Sequence, residues 1–315
     1  MRPIILSLSV LVLLAACKKE PTEPEVKNPP AEEKTPPPLN ETWLFQWEGM
    51  ERSCLVHVPS SQLGQAGSPT VFDLHGYGGT AVVERDYTQT HVLGDSVGFI
   101  TVYPLAFGLI WNSGIGDNPS FPTFNTDDVG FISRIIDSLI SRFKIDSLRV
   151  YSCGFSNGGF MSLKLAGQLS NRIAAVASVS GVLANSTAAA YVAARPVPVL
   201  MIHGTGDAVV PYGGESGWYS VDQTINFWIL KNNATLPAET LFVADRDPQD
   251  ESTVVRYSYG SPSNLSKVVL FKLIDGGHRW PGALPVPSYG DGITNNDINA
   301  RNEIWDFFKQ FSLAQ

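Results

Sequence analysis

Ser156 sits in the run Gly154-Phe155-Ser156-Asn157-Gly158-Gly159, directly after an apolar segment ending at Cys153 and directly before a helical pattern. A serine presented on a sharp strand-to-helix turn projects its hydroxyl clear of the sheet, where it can attack a carbonyl carbon. Glycines two residues before and two after are expected there, because a Cβ at either place would strike the neighbouring strand or helix. The helix that follows aims its first backbone amides at developing negative charge, and the Asn157 amide, next to the serine, becomes one candidate oxyanion donor.

Serine alone is a weak nucleophile and needs a base, which in turn needs an orienting acid. With a serine presented this way, the acid and then the base follow on loops after later strands. Residues 199–207 read VLMIHGTGD and place Asp207 in a glycine-rich loop after a buried strand. Residues 271–278 read FKLIDGGH and place His278 after the last strand. Of the other histidines, His75 and His203 each close a strand before glycine, where imidazole bonds nearby backbone. His57 lies in an early hairpin and His91 in a polar helical stretch, so only His278 follows both other members. Asp207 is the expected acid, with Asp275 the alternative, although the latter suits the Asp-Gly-Gly turn. Asp291 and Asp297 lie beyond the histidine.

A tetrahedral oxyanion needs two amides, each contributing about 3 kcal/mol. The second is expected from Leu74-His75-Gly76-Tyr77-Gly78-Gly79-Thr80, with Tyr77 the donor and its ring free to pack on the acyl group. Trp280, two residues past His278, and Trp111 are candidate substrate-binding residues. The acidic group Asp245, Asp247, Asp250 and Glu251 lacks the glycine and spacing of a calcium loop and reads as a solvated turn.

The elements that hold these residues follow from hydropathy. Residues 43–47 and 52–58, joined around Gly49, read as a β-hairpin. Segments 70–75, 98–103, 148–153, 174–179, 197–203 and 267–274 are mostly continuous apolar runs, as in parallel strands covered on both faces. Helices are expected over 127–143, 157–169 and 302–311, the first with Asp127 and Asp128 as caps at its start. Strand–helix alternation implies an α/β fold with a mostly parallel sheet, helices on both faces and an antiparallel N-terminal hairpin.

The chain has 315 residues, 43% hydrophobic, with 22 basic against 30 acidic side chains and a net charge of −8. That apolar content excludes a wholly disordered chain, and the acidity argues against a nucleic-acid partner. Arg2 followed by an apolar stretch ending Leu14-Ala15-Ala16-Cys17 resembles the lipobox of bacterial lipoproteins. Residues 1–16 are then a signal peptide, Cys17 the lipidated N-terminus, and the membrane is met through the lipid anchor only. Proline, lysine and glutamate fill 16 of the 23 residues from 18 to 40, so residues 17–40 read as a disordered tether reaching at most about 70 Å. Residues 41–315 form the expected catalytic domain, secreted and held at the outer membrane or cell surface of a bacterium.

These features together resemble the α/β-hydrolase family of esterases that includes polyhydroxybutyrate depolymerases and the feruloyl and acetylxylan esterases of carbohydrate esterase family one. The resemblance runs over residues 52–311 and rests on LHGYGG (74–79), DDVGF (127–131), IDSLRVYSCGFSNGG (145–159), HGTGDAVVPYGG (203–214), GGHRWPG (276–282) and NNDINARNEIWDFF (295–308). It implies Ser156 as nucleophile, Asp207 as acid and His278 as base, with no cofactor and no metal. The implied activity is hydrolysis of carboxylic esters, such as feruloyl or acetyl decorations of polysaccharide. A polyester depolymerase would use the same residues, and a non-catalytic glycan-binding lipoprotein would use the scaffold alone. Two departures stand out: Asp73 falls in a strand that should be buried, and Cys54 and Cys153 are expected as buried free thiols.

Overall fold

The computed structural model describes residues 36–313 apart from 123, 264, 285, 287 and 288. The expected signal peptide, Cys17 and the tether as far as residue 35 lie outside them. The hairpin comes first: β1 (Leu39–Trp47) pairs antiparallel with β2 (Met50–Val58) through the turn at Gly49, and its first strand begins two residues before the expected boundary at 41. Then β3 (Thr70–Leu74) leads to α1 (Ala81–Thr88) and α2 (Thr90–Val97), followed by β4 (Ile100–Pro104) and α3 (Asp128–Phe143). β5 (Val150–Gly154) feeds α4 (Asn157–Gln168), and β6 (Ala175–Val179) the short α5 (Asn185–Ala189). β7 (Val199–Gly204) precedes α6 (Val221–Lys231); β8 (Glu239–Phe242), β9 (Thr253–Gly260) and β10 (Lys267–Ile274) precede α7 (Ala300–Phe308).

The strands form one sheet in the order β1-β2-β4-β3-β5-β6-β7-β10-β9-β8. β4, β3, β5, β6, β7 and β10 run parallel, while both edges are antiparallel. Alternate residues along the central strands enter two separate cores, which explains why their sequences are continuously apolar. Phe72, Val150, Val176, Val199 and Val268 face the core built with α3, α4 and α6. Their neighbours Val71, Tyr151, Ala177, Leu200 and Val269 face the core built with α7 and Tyr87 of α1. Each fully buried side chain of that size contributes about 1.5–3 kcal/mol, which fixes the central strands far more firmly than any surface ion pair.

The start of α3 differs from expectation. Asp127 caps it, accepting the Gly130 amide at 2.8 Å, but Asp128 does not. Its carboxylate turns inward to buried Arg52 at 2.7 Å and to the Asn112 amide at 2.7 Å. A guanidinium enclosed by the hairpin needs a counter-charge, and that demand outweighs a cap. Cys54 and Cys153 are unbridged and buried, and burial pushes the Cys54 thiol up to about 12. No helix among the described residues is long and apolar enough to cross a membrane.

Candidate active site

β5 ends at Gly154, and Ser156 occupies the turn into α4 with φ 52° and ψ −118°. That conformation is rare for a residue with a side chain and persists only where its surroundings enforce it. Here the Ser156 amide is tied to the Val179 carbonyl of β6, and its carbonyl takes the Phe160 amide. The flanking glycines are sterically obligatory. A Cβ on Gly154 would lie 2.6 Å from the Leu74 carbonyl oxygen, and one on Gly158 would be driven into that same oxygen. Since the obstacle is backbone on β3, Gly158→Ala is expected to destabilise the fold by more than about 4 kcal/mol, readable as lost soluble yield or a collapsed Tm. A variant with wild-type Tm would show that the turn can open without cost.

The loop after β7 delivers Asp207, and the loop after β10 delivers His278. His278 Nδ1 lies 2.7 Å from Asp207 Oδ2. The other oxygen, Oδ1, accepts the amides of Val209 at 2.9 Å and Val210 at 2.7 Å. Burial alone would raise the Asp207 carboxyl, but the hydrogen bond from His278, the nearby His203 ring and the Val210 amide outweigh it and hold it below its ordinary range. Asp275, the alternative acid, is exposed, and its amide is engaged with Thr205 Oγ1 at 2.8 Å.

The remaining histidines serve structure. His203 lies 3.4 Å from the same Asp207 oxygen, yet its Nε2 is closer to the Val210 carbonyl, at 2.8 Å. Burial lowers its pKa, so neutral imidazole donates there. His75 is likewise neutral, burial depressing it to about 4. It donates from Nδ1 to the Gly76 carbonyl and accepts the Ala106 amide on Nε2.

Ser156 and His278 open together into a cavity of about 220 Å³, lined also by Tyr77, Ile115, Phe121 and Val209. Tyr77 is half-exposed, and its ring meets Phe121 edge-on at 5.7 Å. The Gly76 amide donates to Tyr289 Oη and the Gly78 amide to the Leu109 carbonyl. Between them, the Tyr77 amide has no protein acceptor among the described residues. Asn157 opens α4, where first-turn amides lack intrahelical partners. Its side chain is anchored by the Trp111 amide at 2.7 Å and Ser113 Oγ at 2.7 Å.

Neither tryptophan reaches the cavity. Trp111 is 1% exposed, with Nε1 donating to the His75 carbonyl at 2.9 Å. Trp280 is also 1% exposed, its amide held by Tyr87 Oη at 2.8 Å. Both expectations of substrate contact are therefore corrected: the rings fill space behind the loops that carry the site.

Asp73 finds partners that its sequence neighbourhood hides. Thr88 and Thr90, on either side of the left-handed Gln89 that breaks α1 from α2, donate to its Oδ2 at 2.6 and 2.7 Å. Burial raises its carboxyl from the ordinary 3.8 to about 6, against hydrogen bonds from Thr88, Thr90, Glu84 and Cys153 that favour its charge. Folding thus tightens proton binding, and the stability this group contributes is complete below about pH 4 and is lost as pH rises through about 6. Asp73→Asn keeps an acceptor for both threonines and removes the titration. Its Tm should fall less than that of the wild type between those pH values; an equal fall would place the titration elsewhere.

A mixed, mostly parallel sheet, helices on both faces and a serine on the turn after the central β5 define the α/β-hydrolase fold. Residues 126–232 match the phospholipase/carboxylesterase family model. The chain is similar, at 28% identity over 84% of its length, to the bifunctional acetylxylan esterase/xylanase of Neocallimastix patriciarum, and at 30% over 83% to feruloyl esterase B of Piromyces equi. It spans only 34% and 46% of those two proteins, but 96% of NocK, a Nocardia uniformis protein named as an esterase, to which it is 28% identical over 96% of its own length. Among solved structures, an acetyl xylan esterase from Aspergillus awamori shares the fold with a TM-score of 0.60 at 15% identity, covering 85% of this chain and 99% of that one.

Proposed function

We propose that this chain is a serine carboxylesterase that removes small acyl groups, acetyl or feruloyl, from polysaccharide. The observation that carries this reading is one cavity holding Ser156 and an Asp207-paired His278 beside the unpartnered Tyr77 amide. Nδ1 of His278 faces the carboxylate, so its proton sits there and Nε2 is left as the base. Nε2 takes the Ser156 proton as the hydroxyl oxygen bonds to the ester carbonyl carbon. The carbonyl electrons move onto oxygen, where the Tyr77 and Asn157 amides receive them. Collapse expels the alcohol, protonated from His278, and leaves an acyl-serine. Water, activated by the same nitrogen, then releases the acid and restores the serine. No other reactant is required.

The size of the cavity supports a small acyl group. A volume of about 220 Å³ walled by Tyr77 and Phe121 has room for acetate or one aromatic ring, with the sugar chain left outside. Turnover of p-nitrophenyl acetate, methyl ferulate, acetylated xylan and a polyhydroxybutyrate film should be compared for the protein and its Ser156→Ala variant. Serine-dependent release of acetate or ferulate supports the proposal. Clearing of the film alone would make the substrate a polyester, and no serine-dependent turnover would leave a non-catalytic binding protein.

The same proposal places the enzyme outside the cell, tethered through lipid on Cys17. Several acyl chains on one residue anchor stably, since each buried methylene adds about 0.8 kcal/mol. Cys17→Ser is expected to move the protein from the membrane fraction to the soluble one at unchanged kcat. Unaltered membrane association would defeat the tether.

A further inference from the structure

Behind the loop that carries the Tyr77 amide runs a chain of buried polar groups with no part in the acyl-transfer steps. The Gly76 amide donates to Tyr289 Oη at 2.5 Å, and that hydroxyl donates to Glu84 Oε2 at 2.6 Å. Glu84 lies on α1 and is fully buried, as is Asp73 on β3. Glu84 Oε1 and Asp73 Oδ1 have no conventional donor. Burial raises the pKa of each carboxyl, with the other acid as its neighbour, so a proton shared between the two would give both atoms a partner.

The direction of every bond in this chain is fixed. Tyr289 has a single proton, and a carboxyl oxygen buried beside it is the acceptor that takes it. The hydroxyl lone pair is thereby left for the Gly76 N–H. On the far side of the same residue, the Gly76 carbonyl accepts from His75 Nδ1 at 2.8 Å, and Trp111 Nε1 holds the His75 carbonyl. Gly76 is therefore gripped at both its amide and its carbonyl, and Gly78 at its amide, while the Tyr77 N–H between them is left for a ligand. The tyrosine ring also sets the loop's distance from the histidine loop. A Cβ on Gly79 would come within 2.7 Å of Tyr289 Oη, and the ring packs on Phe155 at 5.4 Å, which in turn packs on His278 at 4.8 Å.

We propose that Tyr289 and Glu84 are positioning residues for the oxyanion hole: Glu84 orients the Tyr289 hydroxyl, and the hydroxyl holds the Gly76 peptide so that the Tyr77 amide faces the reacting carbonyl. The assignment rests on the serine-esterase reading above. Tyr289 borders the cavity of Ser156 and His278, but its hydroxyl is committed to the Gly76 amide and to Glu84, so both residues act by keeping a donor where the charge develops.

The test uses the full-length protein with Tyr289→Phe, Glu84→Gln and Glu84→Leu. Phenylalanine keeps the ring and loses the grip on Gly76. Glutamine mimics the protonated acid, since its carbonyl can accept from Tyr289 while its NH2 donates to Asp73. Leucine removes both bonds. For p-nitrophenyl acetate, Tyr289→Phe should lower kcat about 10- to 100-fold, short of the full loss of an oxyanion donor, with KM within about twofold. Affinity for phenylboronate, which forms a tetrahedral anion on serine, should fall in step. Glu84→Gln should keep most of the wild-type kcat, and Glu84→Leu, where it folds, should match Tyr289→Phe.

A Tyr289→Phe enzyme with wild-type kcat and boronate affinity would overturn the proposal, and so would a lowered Tm with unchanged kcat per folded molecule. If the wild type hydrolysed no ester, the esterase reading would fail and hydrogen exchange over residues 74–80 would decide the network. Faster exchange there in Tyr289→Phe would uphold it; unchanged exchange would end it.

Discussion

Ser156→Ala should abolish ester turnover, lowering kcat about 10⁴- to 10⁶-fold, while the protein folds and melts as before. The loss follows from chemistry: Ser156 is the only serine or threonine among the described residues lining the cavity with His278, so the residual rate is that of water in a preorganised cavity. The intact fold follows from where the elbow's strain is anchored. Both bonds that hold Ser156 at φ 52°, to Val179 and from Phe160, use its backbone, and alanine keeps the same Cβ. Paired measurements of kcat and Tm decide the matter. Activity above about one hundredth of the wild type would move the nucleophile elsewhere, and a large drop in Tm would mean that the hydroxyl is structural.

The parts of this site legible in the sequence are those whose physics is local. A strand, a glycine-bounded serine and a helix lie within about twenty consecutive residues, and Gly154 and Gly158 are both crowded by nearby backbone, the Leu74 carbonyl among it. Asp207 and His278 are each announced by an apolar run ending in glycines, and chain order discards the other histidines. Contacts between distant segments left no such mark. Glu84 and Tyr289 are 205 residues apart, and each resembles an ordinary surface residue until the fold buries both. Asp73 looked stranded because Thr88 and Thr90 approach it only after Gln89 turns left-handed. Trp111 and Trp280 lie near functional residues in sequence, yet nearness along the chain does not say which way a ring points. β8 and β9 escaped for another reason. β8 is exposed along its length at the sheet edge, and β9, next to it, buries only Val254 and Val255, so their patterns lack the continuous apolar runs that mark the centre.

The acid can be tested by a substitution whose geometry is already dictated. In Asp207→Asn the side chain must still offer an acceptor to the Val209 and Val210 amides, because both point at Oδ1. The asparagine oxygen therefore takes that place, and its NH2 is forced to the position of Oδ2, 2.7 Å from His278 Nδ1. Two donors cannot face each other, so Nδ1 loses its proton and Nε2 carries it. In that tautomer Nε2 cannot accept the Ser156 proton, although every heavy atom is in place. The expected cost is about 10⁴-fold in kcat with little change in KM, and kcat should recover partly at high pH, where hydroxide can take the serine proton directly. Asp207→Ala separates this mechanism from simple loss of charge: an empty site lets water hydrogen-bond Nδ1, so the alanine variant should be no worse than asparagine. Near-wild-type turnover by Asp207→Asn would transfer the orienting role to another carboxylate, with Asp275 the first to be tested by the same substitution.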